Sequence, residues 1–194
     1  MKVIEQEIHS LKNSISEMWA LVHQQLYNAG EAMLTGDKEL AYKVISRERR
    51  VNAFELKIDS DCEDIIALYA PVAIDLRFVL AMYKINTNLE RLGDFAESIA
   101  RFAGNLPEGE PIDPQLVKET RVEEMLSELL SMISLTKEAF EKESSEIASR
   151  IFLKDNLIDE INHNSTAIIA KYIEEHKGLS LIHISEPTRL GMIS

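Results

Sequence analysis

The chain has 194 residues and sets 21 Lys and Arg against 33 Asp and Glu, a formal charge of −12. That charge repels nucleic acid and anionic lipid headgroups at long range and argues against a DNA-binding role. Seven Gly, five Pro and one Cys leave long uninterrupted stretches for helix. They also exclude an intramolecular disulfide or a thiolate zinc cluster, and the length suffices for a core that needs neither.

From Ile4 the apolar residues Ile8, Leu11, Ile15, Met18, Val22, Leu26, Ala29 and Met33 alternate steps of four and three, which predicts one long packing helix. Acids near Met1 occupy the place of a signal peptide's apolar core, and no run approaches the roughly 18 apolar residues of a membrane span. The expected location is the cytoplasm. Thr35-Gly36-Asp37 closes the helix, with Gly fit for a left-handed terminus and Asp37 placed to cap the next element.

A second helix is expected from about Lys38 to Tyr69, with Val44, Val51, Phe54, Ile58, Ile65 and Tyr69 facing the core. Cys62 reads as a small buried residue of this helix. Pro71 suits the first turn of a third helix from about Val72 to Ala103, whose seam is Val79, Met82, Leu89, Leu92, Ala96 and Ile99. Helices of about 30 residues exceed the globular mean of about 11–12 and fit an elongated antiparallel bundle. Residues 107–114, dense in Pro and Gly, read as a linker after a first unit at 1–106.

Beyond the linker a fourth helix carries Val117, Met125, Leu129, Met132 and Phe140. A fifth runs from about Ser145 to His176, giving a second unit at 115–177. Laying Val44 on Ile151 also lays Glu48 on Asp155, Val51 on Ile158 and Asn52 on Asp159, so the second unit repeats the first. The same shift carries Glu90 and Asp94 past the end of the sequence, so the second unit is expected to lack its third helix. Residues 178–194 lose helical periodicity and look like translated adapter DNA rather than a native terminus. With that helix missing, the apolar seams of helices four and five are expected to drive aggregation or dimerisation.

Glu48, Asn52, Glu55 and Asp59 share one stripe of helix two, Glu90 and Asp94 lie one turn apart on helix three, and Asp155 and Asp159 have the same spacing on helix five. Like charges at that spacing cost about 0.2–0.5 kcal/mol in an isolated helix, so a bound cation would relieve them. Carboxylates from facing helices hold hard or borderline cations through oxygen. The alternative is that these residues form a solvated face or are balanced by Arg47, Arg50, Arg77 and Arg91. A di-iron oxidase needs two Glu-x-x-His motifs and the chain has one, Glu160 with His163. P-loop, dinucleotide-fold and hydrolase motifs are absent from the sequence.

The segments Val51-Asn52-Ala53-Phe54-Glu55-Leu56-Lys57-Ile58-Asp59, Pro71-Val72-Ala73-Ile74-Asp75-Leu76-Arg77 and Leu89-Glu90-Arg91-Leu92-Gly93-Asp94, in this order and spacing, resemble the bacterial PhoU family. The likeness extends over residues 1 to about 177. It implies an all-α fold of two three-helix repeats in a six-helix bundle. It implies no enzyme, but a negative regulator of phosphate uptake and starvation signalling that acts between the phosphate-specific ABC transporter and a phosphate-sensing histidine kinase. It further implies a homodimer that meets the membrane only through its partners, and a metal cluster of iron, zinc, manganese or magnesium. Glu48, Asn52, Glu90, Asp94, Asp155 and Asp159 match the family's metal motifs, with Glu55 and Asp59 second. Arg77 and Arg91 would orient the acids, face a partner or balance charge. A PhoU-like module of another phosphate transporter is the alternative that the resemblance leaves open.

Overall fold

The computed structural model describes residues 3–107 and 111–176, and the tail expected to be foreign, 178–194, lies outside them. The helices are α1 Val3–Thr35, α2 Lys38–Tyr69, α3 Ala73–Asn105, α4 Pro114–Thr120, α5 Val122–Glu141 and α6 Ser145–Glu175. The all-α architecture follows from heptad-like apolar spacing and from the turn residues between the runs.

Helices α1, α2 and α3 pack on one another in all three pairings. Leu11, Ile15, Met18 and Val22 of α1 meet Val51, Ile58 and Ile65 of α2 and Val79, Met82 and Leu89 of α3 in the main core. Burying each such aliphatic side chain contributes about 1.5–3 kcal/mol, and truncating Ile58 to Ala would cost about 2–5 kcal/mol. Toward the other end the core turns to alanine, with Ala29, Ala32, Ala41, Ala96, Ala100 and Ala103 around Val44.

The turns show why each helix stops. Gly36 takes φ 71° and its N–H bonds to Ala32 O at 3.0 Å, while the Asp37 carboxylate accepts from Leu40 N at 2.9 Å and starts α2. Pro71 does not open α3 as expected. It lies buried in the connection between Ala70 at φ 43° and Ala73 at φ 49°, because the chain must reverse within three residues before the helix can begin.

The expected fourth helix is two. Arg121 adopts φ 54° and ψ 30° between α4 and α5, a left-handed conformation that ends one helix and caps the next. Its guanidinium reaches Glu124 at 2.7 and 2.9 Å and Glu160 of α6 at 2.8 Å, while Ser165 Oγ donates to the freed Thr120 carbonyl at 3.3 Å. These contacts from α6 offset the cost of the break, and neither Gly nor Pro marks it in the sequence.

Helix α5 joins the first three helices through α1. The Trp19 indole N–H donates to Ile133 O at 3.2 Å and the ring stacks on Phe140 with centroids 5.8 Å apart. Helix α6 rests on α5 and α4, held by Lys154–Glu128 at 2.8 Å and Tyr172–Asp113 at 2.7 Å. Its expected core residues are only half covered. Ile161 is buried, but Ile147, Ile151, Ile158, Ile168 and Tyr172 are half-buried and Phe152 is 77% exposed.

Candidate functional site

Helices α2 and α3 run antiparallel and touch at Gly93, where an added Cβ would lie 2.9 Å from Val51 Cγ1. That approach brings the polar stripe of α2 and the acids of α3 to one edge of the helix pair. Glu48, Asn52, Glu55, Asp59 and Glu90 are half-buried there, and Asp94 is exposed.

Three interactions organise this edge. Asn52 hydrogen-bonds the Glu48 carboxylate, yet burial first, and then the charges of Glu97 and Asp94, push the Glu48 carboxyl above its ordinary value. Burial also raises Glu90, followed by the charge of Asp94, a hydrogen bond shared with that carboxyl, and the fields of Glu55 and Glu48. Asn86, fully buried in α3, donates to Glu55 O at 2.9 Å and to Asp59 Oδ1 at 2.7 Å. Its own Oδ1 is buried without a partner.

The charge-balance alternative does not describe this edge. Among the described residues no Lys or Arg forms an ion pair with Glu48, Glu55, Asp59, Glu90 or Asp94. Arg50 lies instead over the Phe54 ring, 6.0 Å from its centroid, and Arg47, Arg77 and Arg91 form no ion pair with a described residue. Arg101 lends Glu48 a weak favourable field but is itself bonded to Glu97 at 2.6 Å.

Two carboxyls, Glu48 and Glu90, pushed upward first by burial and then by neighbouring acids, an amide within the set and an orphaned buried oxygen nearby suit a hard or borderline cation in donor chemistry. The side chains stand as facing pairs rather than a closed shell. Among the described residues, no three His, Cys, Asp or Glu side chains converge on a common point.

The remaining expected ligands are elsewhere. Asp155 and Asp159 lie exposed on α6, a helix packed on α5 and α4, and are not brought to the α2–α3 edge. Glu160 of the lone Glu-x-x-His is bound by Arg121, and His163 is exposed. Sequence reasoning missed Asn86 and Glu97. The signal for Asn86 was present, since it is an amide at a core position between Met82 and Leu89.

The PhoU domain family matches residues 15–103, which fall within α1–α3. The chain is 33% identical over 171 residues to the phosphate-specific transport system accessory protein PhoU homolog of Aquifex aeolicus, covering 87% of this chain and 75% of that protein.

The chain belongs to the PhoU family.

The phosphate-specific transport system accessory protein PhoU of Escherichia coli strain K12 is 34% identical over 154 residues, which cover 79% of this chain and 62% of that protein. The crystal structure of PhoU from Pseudomonas aeruginosa superposes with a TM-score of 0.81 at 27% identity, over 88% of this chain and 80% of that one. The phosphate transport system regulatory protein PhoU from Streptococcus pneumoniae gives 0.76 at 28% identity, over 93% and 82%. PhoU proteins are accessory and regulatory proteins rather than enzymes. No helix among the described residues is long and apolar enough to cross a membrane.

Proposed function

We propose that this PhoU-family chain restrains phosphate uptake and starvation signalling as a cytoplasmic, homodimeric adaptor between the phosphate ABC transporter and its sensor histidine kinase. The observation that carries this reading is its 33% identity to a phosphate-transport accessory protein over 75% of that protein's length. In this reading residues 1–106 and 115–177 are successive copies of one helical repeat.

Glu48, Asn52, Glu90 and Asp94 would hold a metal at the α2–α3 edge, with Glu55 and Asp59 beside them and Asp155 and Asp159 serving the second repeat. A metal held there would supply positive charge to these acids. What the chain's own residues do is hold carboxylates in place: Asn86 fixes Asp59, Asn52 fixes Glu48, and the Gly93 contact keeps both helices in register.

The function is tested in a strain deleted for its own PhoU and carrying an alkaline-phosphatase reporter of starvation. Expression of this chain should lower reporter activity in phosphate-rich medium, and unchanged activity would sink the reading. Metal analysis of purified protein should show less metal per chain in Glu90→Ala/Asp94→Ala, and an equal content would remove these residues from the site.

A further inference from the structure

The end of the bundle at the α2–α3 turn carries a surface that the acidic edge does not use. Of the fifteen large apolar side chains exposed among the described residues, six fall between Ile66 and Tyr83: Ile66, Leu68, Val72, Ile74, Leu80 and Tyr83. Leu68 is 71% exposed, and Val72 and Ile74 are each 74% exposed. Single exposed apolar residues are ordinary, but a cluster held at one tip marks an interaction surface.

The turn is built at a local cost. Ala70 and Ala73 both take positive φ, which L side chains resist, on either side of the buried Pro71. Helices α2, α4 and α6 start on Asp37, Asp113 and Ser144, whose side chains accept capping bonds, whereas α3 starts on Val72, which forms none. An apolar residue stands where Ser, Thr, Asp or Asn would stabilise the helix. A strained, proline-stiffened reversal thus displays branched apolar side chains in a fixed arrangement, which reduces the entropy lost on docking.

The charges around the tip define what it can meet. Glu63 and Asp64 on α2 and Asp75 on α3 flank it against Arg77, within a chain of net charge −12. This rim repels an anionic bilayer and matches a protein surface bearing Lys and Arg. We propose that the α2–α3 tip is the docking knob of the chain, inserting Leu68, Val72 and Ile74 into an apolar socket with a basic rim on the cytoplasmic face of the phosphate ABC transporter. This rests on the function proposed above and names the surface and the chemistry of the contact.

The transporter, reconstituted in nanodiscs of zwitterionic lipid, is titrated with full-length chain by interferometry. Leu68→Asp/Ile74→Asp should weaken binding by roughly tenfold or more, as for central apolar anchors, while Phe102→Asp at the other end of the hairpin leaves it unchanged. Val72→Ser separates docking from folding: it supplies a capping oxygen, so thermal stability should hold or rise while binding weakens. Wild-type binding that the tip variants retain overturns the docking knob and leaves the proposed function standing. Absence of wild-type binding overturns the knob and the transporter partnership together. Tip-dependent retention on phosphatidylglycerol vesicles assigns the turn to the bilayer and overturns the protein socket.

Discussion

The Cβ that Gly93 lacks would stand 2.9 Å from Val51 Cγ1, so α2 and α3 touch through a glycine and a stiff β-branched side chain between the Glu48–Asn52 and Glu90–Asp94 pairs. Replacing Gly93 by Ala pits two effects against each other. Helix propensity gains about 1 kcal/mol, while overpacking against a buried Val51 costs about 1–3 kcal/mol. The expected net is a loss of about 1 kcal/mol, read as a lower urea midpoint at constant slope. A more stable variant would mean that Val51 yields and that the close approach is not a constraint.

Asn86 is the buried link between the helices, and a carboxylate there would meet Asp59 across 2.7 Å. Asn86→Asp should lose about 3 kcal/mol at pH 7, because a buried charge replaces a hydrogen-bonded amide. Burial and Asp59 would hold the new carboxyl above its unfolded value of about 3.9. The folded state then binds the proton more tightly, so the loss is present at neutral pH and recovers as pH falls through the raised value. Chemical denaturation at pH 7 and pH 5 reads this, and an equal loss at both would contradict it.

The Tyr172 hydroxyl donates to Asp113 Oδ2 at 2.7 Å, and the pair shifts both groups in opposite directions. Hydrogen bonds from Tyr172 and then from Gln115 N hold Asp113 below its ordinary 3.8, while the bond to Asp113 holds Tyr172 above 10.0. A depressed acid stabilises above its unfolded value and loses that contribution as pH falls through the folded one. A raised phenol stabilises below 10.0 and loses it as pH rises through its folded value. Tyr172→Phe should therefore melt lower than wild type between about pH 4 and pH 10, with the difference closing on both sides. A pH-independent difference would mean that packing alone is lost.

Trp19 is the sole tryptophan and lies at the seam where α1 meets α5, stacked on Phe140. Phe140 is half-buried, so Phe140→Ala should cost about 2 kcal/mol, below the range for a fully buried ring. Trp19 emission should shift to the red as the seam wets. A destabilised variant with unshifted emission would place the loss away from α1.

The first three helices were legible because their apolar residues keep one period over some 30 positions and their ends carry Gly36, Asp37 and Pro71. The Arg121 break was not. It rests on Glu160 and Ser165, far away in sequence, and no local breaker announces it. The Glu48, Asn52, Glu90 and Asp94 edge was legible as spacing, but the roles of Asn86 and Glu97 needed the antiparallel register that sets them opposite Asp59 and Glu48. Asp155 and Asp159 copy the spacing of Glu48 and Asn52, and yet spacing on one helix does not bring an opposing helix to meet it.

Cys62 sits in the same core, 1% exposed, with its thiol 3.9 Å from Val79 O and pushed up to about 12, first by burial and then by Asp59, Asp61 and Glu63. A thiol so protonated and covered does not react while α2 lies on α3. The lone cysteine is thereby a stopwatch for the hairpin: the rate at which a thiol reagent marks the folded protein counts how often these two helices part.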